Sequence, residues 1–450
     1  TTVKIGGIGP MTGPYANYGL SEKNGAELAV KEINEAGGIA GKQVELSYQD
    51  SQGDSESAVN AYGKLMDWGM NVSLGCVLSG ENASVVAAAR DDDVMLITPS
   101  GSADKCIEGN SRAFRVCFYD SYQGAAAAQY IKENNIVDTV GVLYQSDVDY
   151  SVGLYNAFVD QCGKLGITIA ETQTFTASTS TDFSTQVNAL VASGVKLVFI
   201  PIYAEEASTF LTQARGKFAG DVYFFGADGL DGILGKVEQD PTIANNVLML
   251  TPFAADNPSE NVQSFVKKYQ EAYGATPDQF AADAYDAVYA IKAAIEKAGS
   301  TSGDALASAL TSLTVEGVTG TMTWGEDGEV SFLDEIMPTA QYDAAKLPAE
   351  RTRTVFSLWM PYGCETAQLQ FTADCGKNQV IYITGAQIVP THAWAYVRLL
   401  TGLVFCAVLD WVILLLTRRV KFPIHTLRGR YIAMALVGIG VFACLPLGLG

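Results

Sequence analysis

Four polar residues stand where an apolar run gives way to a helical pattern, the place where a side chain can face a cleft. Ser79 lies in LSGEN at residues 78–82, Ser100 and Ser102 in TPSGS at 98–102, and Asp228 in GADGL at 226–230. Hydroxyls and backbone N–H groups gathered at the start of a helix suit an anion such as a carboxylate. Serine also caps helices with the same geometry, so the residue type leaves both roles open. A carboxylate turned into a cleft, as Asp228 would be, suits an ammonium or an amide, and its other reading is a solvated turn aspartate. Tyr18, Tyr150 and Tyr203 sit at strand-to-helix connections. There a ring can wall a pocket and offer its hydroxyl, or simply pack.

Other chemistries are poorly served. Both histidines, His392 and His425, fall after residue 390, so the preceding body has no Ser-His-Asp or Cys-His centre and no His-ligated metal. The closely spaced glycines of GGIGPMTG at residues 6–13 fail the GxGxxG spacing, and no GK[ST] occurs, which argues against a nucleotide loop. None of the 8 cysteines forms a CxxC pair. Cys106 and Cys117 flank a Gly-Asn turn and read either as a disulfide or as two small buried residues. No cofactor and no metal are expected.

The elements that must position these residues follow a βαβ rhythm. Apolar runs at 3–8, 44–48, 72–78, 94–97, 139–144, 168–175, 197–200 and 222–225 alternate with helical patterns at 19–36, 55–68, 83–90, 123–134, 151–165, 183–192 and 205–215. Further helices are expected at 261–273 and 280–298, and a strand at 380–384. Such alternation implies parallel sheets with helices on both faces, and its length exceeds one sheet. The expectation is an α/β protein of two doubly wound lobes with ligands bound at strand carboxyl ends. The chain opens directly on a strand, which is expected of a processed N-terminus.

Charge separates the body from the tail. Net charge is −20, which disfavours nucleic acid as a partner. Residues 391–450 hold 6 basic residues and 1 acid, leaving 23 basic against 48 acidic residues before them. Residues 394–417 and 431–450 are apolar and each reaches the roughly 20 residues that span a bilayer. The basic loop between them, with Arg418, Arg419, Lys421, Arg428 and Arg430, would lie in the cytoplasm and leave the body outside.

The opening VKIGGIGPMTGPYANYGLSEKNGAELAVKEINEAGGIAGKQVE resembles the type I solute-binding proteins, in particular the leucine/isoleucine/valine-binding proteins of ABC transporters. The G-P-x-T-G turn, the N-G-A-x-x-A helix and the I-N-x-x-G-G-I-x-G turn carry the likeness, with ITPSGS, FRVCFYDSYQG, VLYQSDVDYSVGL, DFSTQVNAL and FFGADGL further on. The resemblance implies lobe one at residues 1–120 plus 252–330 and lobe two at 121–251 plus 331–345, joined by a hinge. Residues 346–390 stay an unassigned connector and 391–450 hold the two candidate transmembrane segments. It further implies that Ser79 binds the ligand carboxylate and that Ser100, Gly101 and Ser102 hold the same head group. Asp228 would pair with the α-ammonium, and Tyr18, Tyr150, Tyr203 and Phe280 would wall the side chain. Leu78 stands where the best-known members carry a half-cystine, and residues 49–51 lack its partner, so that family disulfide is absent.

The resulting expectation is a non-enzymatic, extracytoplasmic binding protein that closes on a branched-chain or related amino acid and delivers it to an ABC permease, with membrane contact through the tail. The alternative is a membrane-anchored sensor built on the same fold.

Overall fold

A computed structural model of the chain describes residues 2–332. The first part of the chain lays down β1 (Val3–Gly9), α1 (Ala16–Glu35), β2 (Val44–Asp50), α2 (Ser55–Trp68), β3 (Val72–Cys76), α3 (Ser79–Ala88), β4 (Met95–Thr98) and β5 (Ala113–Arg115). These strands form one parallel sheet in the order β2-β1-β3-β4-β5. The second series is α4 (Asp120–Glu133), β6 (Thr139–Gln145), α5 (Asp149–Leu165), β7 (Thr168–Phe175), α6 (Ser184–Ser193), β8 (Leu197–Phe199), α7 (Ala204–Ala214), β9 (Tyr223–Gly226), α8 (Ile233–Lys236) and β10 (Val247–Met249). Its sheet runs β10-β9-β8-β6-β7, again parallel. The expected α/β fold of two doubly wound parallel sheets is what the chain adopts.

The strands are buried because helices cover both faces. Val3, Ile5, Leu74 and Ile97 meet α1 and the later helix α10 (Gln279–Ala298) on one face of the first sheet. Ile8, Cys76 and Leu96 meet α2 and α3 on the other. Full burial of each such aliphatic side chain contributes about 1.5–3 kcal/mol. Glycine permits one close approach here: a Cβ on Gly25 of α1 would stand 2.0 Å from Ala281 O of α10. Helix ends are set by local signals. Asp54 accepts from Ser57 N at 2.7 Å at the start of α2, and Gly69 ends that helix in the left-handed conformation at φ 86°.

After β10 come α9 (Glu260–Tyr273), α10, α11 (Gly303–Leu310) and a small antiparallel sheet of β11 (Thr314–Glu316), β12 (Thr321–Trp324) and β13 (Val330–Phe332). Met322, Trp324, Val330 and Phe332 all pack in the first lobe's core. Of the segment 331–345 expected in lobe two, the described part therefore lies in β13, with Phe332 against lobe one.

Short elements escaped the sequence reading: β5, α8, β10, α11 and β11–β13. Several helices also begin earlier than expected, so Ser79, Tyr18 and Tyr150 occupy first turns of helices rather than connections. Cys106 and Cys117 are free and buried, which decides against the disulfide. The expected strand at 380–384 and the two apolar segments lie outside the described residues. Among the described residues no helix is long and apolar enough to cross a membrane.

Candidate ligand-binding site

Tyr18, Val77, Leu78, Ser79, Ser100, Ser102, Tyr150, Tyr203, Asp228, Gly229 and Phe280 line one small cavity between the carboxyl ends of the two sheets. Eight of the nine residues singled out from sequence thus line it. Gly101 stands behind, its N–H donating to Thr98 Oγ1 at 2.8 Å. A Cβ there would also lie 2.8 Å from Thr98 Oγ1, so this turn closes only on glycine.

The lobe-one wall is built from backbone and hydroxyls. Ser79 opens α3 and its Oγ accepts from Ala103 N at 3.1 Å, tying the 100–104 turn to that helix's N-terminus. The Ser100 hydroxyl is turned away from the cavity. Its Oγ lies 2.9 Å from Val77 O and 2.5 Å from Glu22 Oε1. A hydroxyl carries one proton and a carbonyl only accepts. A protonated Glu22 satisfies the group, with Ser100 donating to Val77 O and the Glu22 carboxyl donating to Ser100. Tyr48 donates to the other Glu22 oxygen at 3.0 Å. Burial agrees, pushing the Glu22 pKa up to about 8.

The lobe-two wall is built from side chains. Asp228 Oδ1 accepts from Tyr150 Oη at 2.9 Å and from Gly229 N at 2.9 Å. Burial raises its pKa to about 6, against the pull of the hydrogen bonds from Tyr150 and Gln123. Gly229 N also donates to Tyr150 Oη at 2.8 Å. A Cβ on Gly229 would come within 2.5 Å of that oxygen, so the turn needs glycine here. Tyr203 precedes α7 and stacks on Tyr150 with centroids 4.6 Å apart.

The two walls are bound to each other through Tyr18. Its hydroxyl donates to Gly229 O at 2.6 Å and accepts from Ala204 N at 2.8 Å, while its ring lies 4.6 Å from Phe280. Tyr15 Oη donates to Glu206 at 2.5 Å, Lys236 Nζ donates to Pro14 O at 2.6 Å, and Lys105 pairs with Asp149 at 3.0 Å across the same junction.

Two acids went unremarked in the sequence. Asp120, at the start of α4, is fully buried with neither carboxylate oxygen hydrogen-bonded. Burial first, then the nearby Asp228 charge, holds its pKa well above the carboxylate range. An acid in a helix's first turn reads as a response to the helix dipole, so no local signal marked it. Glu22 lies in SEKN on a helix, and its hydrogen-bond partners Tyr48 and Ser100 are distant in sequence.

A cleft between two parallel sheets, with hydroxyl and amide donors on one wall and a carboxylate among rings on the other, defines a solute-binding protein. Residues 2–344 match the periplasmic binding protein family model, and the chain belongs to that family. It is 31% identical over 339 residues to the leucine-, isoleucine-, valine-, threonine- and alanine-binding protein of Pseudomonas aeruginosa, covering 74% of this chain and 88% of the relative. It is 32% identical over 339 residues to Leu/Ile/Val-binding protein homolog 3 of Brucella melitensis, covering 73% and 89%. The fold superposes on the LivJ substrate-binding protein of Streptococcus pneumoniae, solved with isoleucine, with TM-score 0.69 and 27% identity over 76% of this chain and 98% of that one. The family is one of transporter solute-binding proteins and implies an extracytoplasmic location.

Proposed function

We propose that the chain binds an α-amino acid with an aliphatic, branched-chain or related side chain and delivers it to an ABC permease. The observation that carries this reading is the opposition of Asp228 to the Ser79–Ser102 wall across one small cavity. In this reading Ser79 and Ser102 take the ligand carboxylate, and Asp228 takes the ammonium with Asp120 behind it. The rings of Tyr18, Tyr150, Tyr203 and Phe280 enclose the side chain. The isoleucine complex of the pneumococcal neighbour and the names of the two relatives support the ligand class.

Residues 2–120 with 252–332 act as one moving body and 121–251 as the other. Each holds half of the contacts, so ligand favours closure by its differential affinity. Calorimetric titration of the chain with leucine, isoleucine, valine, threonine and alanine tests the reading. Saturable 1:1 binding of at least one is expected, and binding of none would overturn it.

The sensor reading rests on the apolar segments 394–417 and 431–450, which would anchor the chain as a membrane hairpin. Reconstitution with a candidate permease separates the two, because ligand-stimulated transport belongs only to the first. Carbonate washing of membranes from cells making the full chain tests the anchor. Retention in the pellet is expected, and release would contradict it.

A further inference from the structure

Among the described residues, Arg115 is the only buried lysine or arginine, and its side chain has no exposed surface. It ends β5, one layer behind the site. Nη1 donates to the carbonyl oxygens of Gly101, Ser102 and Ala103 at 3.2, 2.8 and 3.1 Å, and Nη2 to Asp104 O at 3.3 Å. The guanidinium thus gathers four successive carbonyls of the turn that carries Ser102.

A trans peptide points its N–H opposite to its C=O. Carbonyls drawn to Arg115 therefore turn the amides of Ser102, Ala103 and Asp104 away from it. The Ala103 amide, so turned, donates to Ser79 Oγ on the cavity wall.

The β12–β13 hairpin fixes Arg115 in turn. Trp324 Nε1 donates to Arg115 O at 2.8 Å, Arg115 N donates to Gly328 O at 3.4 Å, and Glu329 pairs with Nε at 3.1 Å.

The titratable groups nearest the cavity are acids or neutral phenols: Glu22, Asp120 and Asp228 beside Tyr18, Tyr150 and Tyr203. Burial holds Glu22 and Asp120 protonated, so the charge of the wrong sign that an entering anion meets is that of Asp228. Arg115 is the buried charge of the right sign, and the peptide dipoles it aligns carry that sign forward to the cleft.

We propose that Arg115 is the positioning residue of the carboxylate end of the site: it holds the 101–104 turn with its amides toward the ligand and offsets the charge of Asp228. This rests on the ligand being an α-amino acid. The planar fork matters, because a lysine ammonium keeps the charge and cannot span four carbonyls.

The test uses the full chain with Arg115→Lys and Arg115→Gln, titrated with L-isoleucine and with L-isoleucinamide, whose head group is neutral at the carboxyl end. Arg115→Lys should weaken isoleucine binding about tenfold and Arg115→Gln further, as loss of charge-assisted hydrogen bonds implies. Isoleucinamide should change by less than about threefold, because its uncharged carboxamide draws little on the charge. Hydrogen exchange without ligand should quicken at residues 101–104 in Arg115→Lys and stay unchanged in β1. Equal losses for acid and amide, or unchanged exchange at 101–104, would overturn the assignment. If Arg115→Gln does not fold, Arg115→Lys decides alone. A wild-type chain that binds neither probe overturns the amino-acid reading and the carboxylate role with it. The exchange arm then still decides whether Arg115 holds the turn.

Discussion

The two sheets have equivalent strand orders, yet the cleft walls they support are made differently. The lobe-one wall spreads its donors over Ser79, Ser102 and a turn whose carbonyls are gathered behind it by Arg115. The lobe-two wall concentrates its polarity in one carboxylate, Asp228, held by Tyr150 and Gly229 N. A distributed wall tolerates loss of one hydroxyl. A concentrated wall depends on a single side chain.

The largest expected effect follows on the concentrated side. Asp228→Asn removes the charge partner of a desolvated ammonium and should weaken amino-acid binding by about 2–5 kcal/mol. Calorimetry giving wild-type affinity would erase the contrast between the walls. Next comes the residue that joins them. Tyr18→Phe leaves Ala204 N and Gly229 O without their partner in the closed form, and should cost about 1–3 kcal/mol of ligand affinity. Scattering should then report a larger radius of gyration at equal ligand occupancy, and an unchanged radius would remove Tyr18 from closure. Ser79→Ala should cost less, about 0.5–1.5 kcal/mol, since backbone amides remain on that wall. A loss equal to that of Asp228→Asn would show that lobe one is not distributed after all.

Much of this was legible from the chain alone, and the reason is local. Gly9-Pro10, Gly37-Gly38 and the turns around Ser79, Ser100 and Asp228 punctuate apolar runs, so strand ends and their polar residues declare themselves. Asp120, Glu22 and Arg115 did not. Each is an ordinary residue for its position, an acid in a first helical turn, an acid on a helix face and a base at a strand end. Their importance comes from partners far along the chain, as with Arg115 and Glu329, which no periodicity encodes. Tyr18 was expected at a connection, but α1 starts at Ala16, which aims its hydroxyl across the cleft.

A separate expected effect concerns stability. Burial raises Glu22 to about 8, Glu81 to about 7, Asp228 to about 6 and Asp286 to about 6. A carboxyl raised in the folded state binds its proton more tightly there than when unfolded. Its stabilisation is present below its unfolded pKa and is lost as pH rises through the folded value. Thermal stability should therefore fall between pH 5 and about 8, and Glu22→Gln should flatten the upper part of that fall. A melting temperature that rises over this interval would contradict the buried, protonated state assigned to Glu22.

The central claim is that one cavity recognises both ends of an amino acid. Competitive calorimetry of L-valine against isovalerate, the same molecule without its ammonium, addresses it directly. The account predicts saturable valine binding with isovalerate at least about a hundredfold weaker, in keeping with the loss of a buried charge partner. Isovalerate binding as tightly as valine would contradict it, and would make the site one for plain carboxylates.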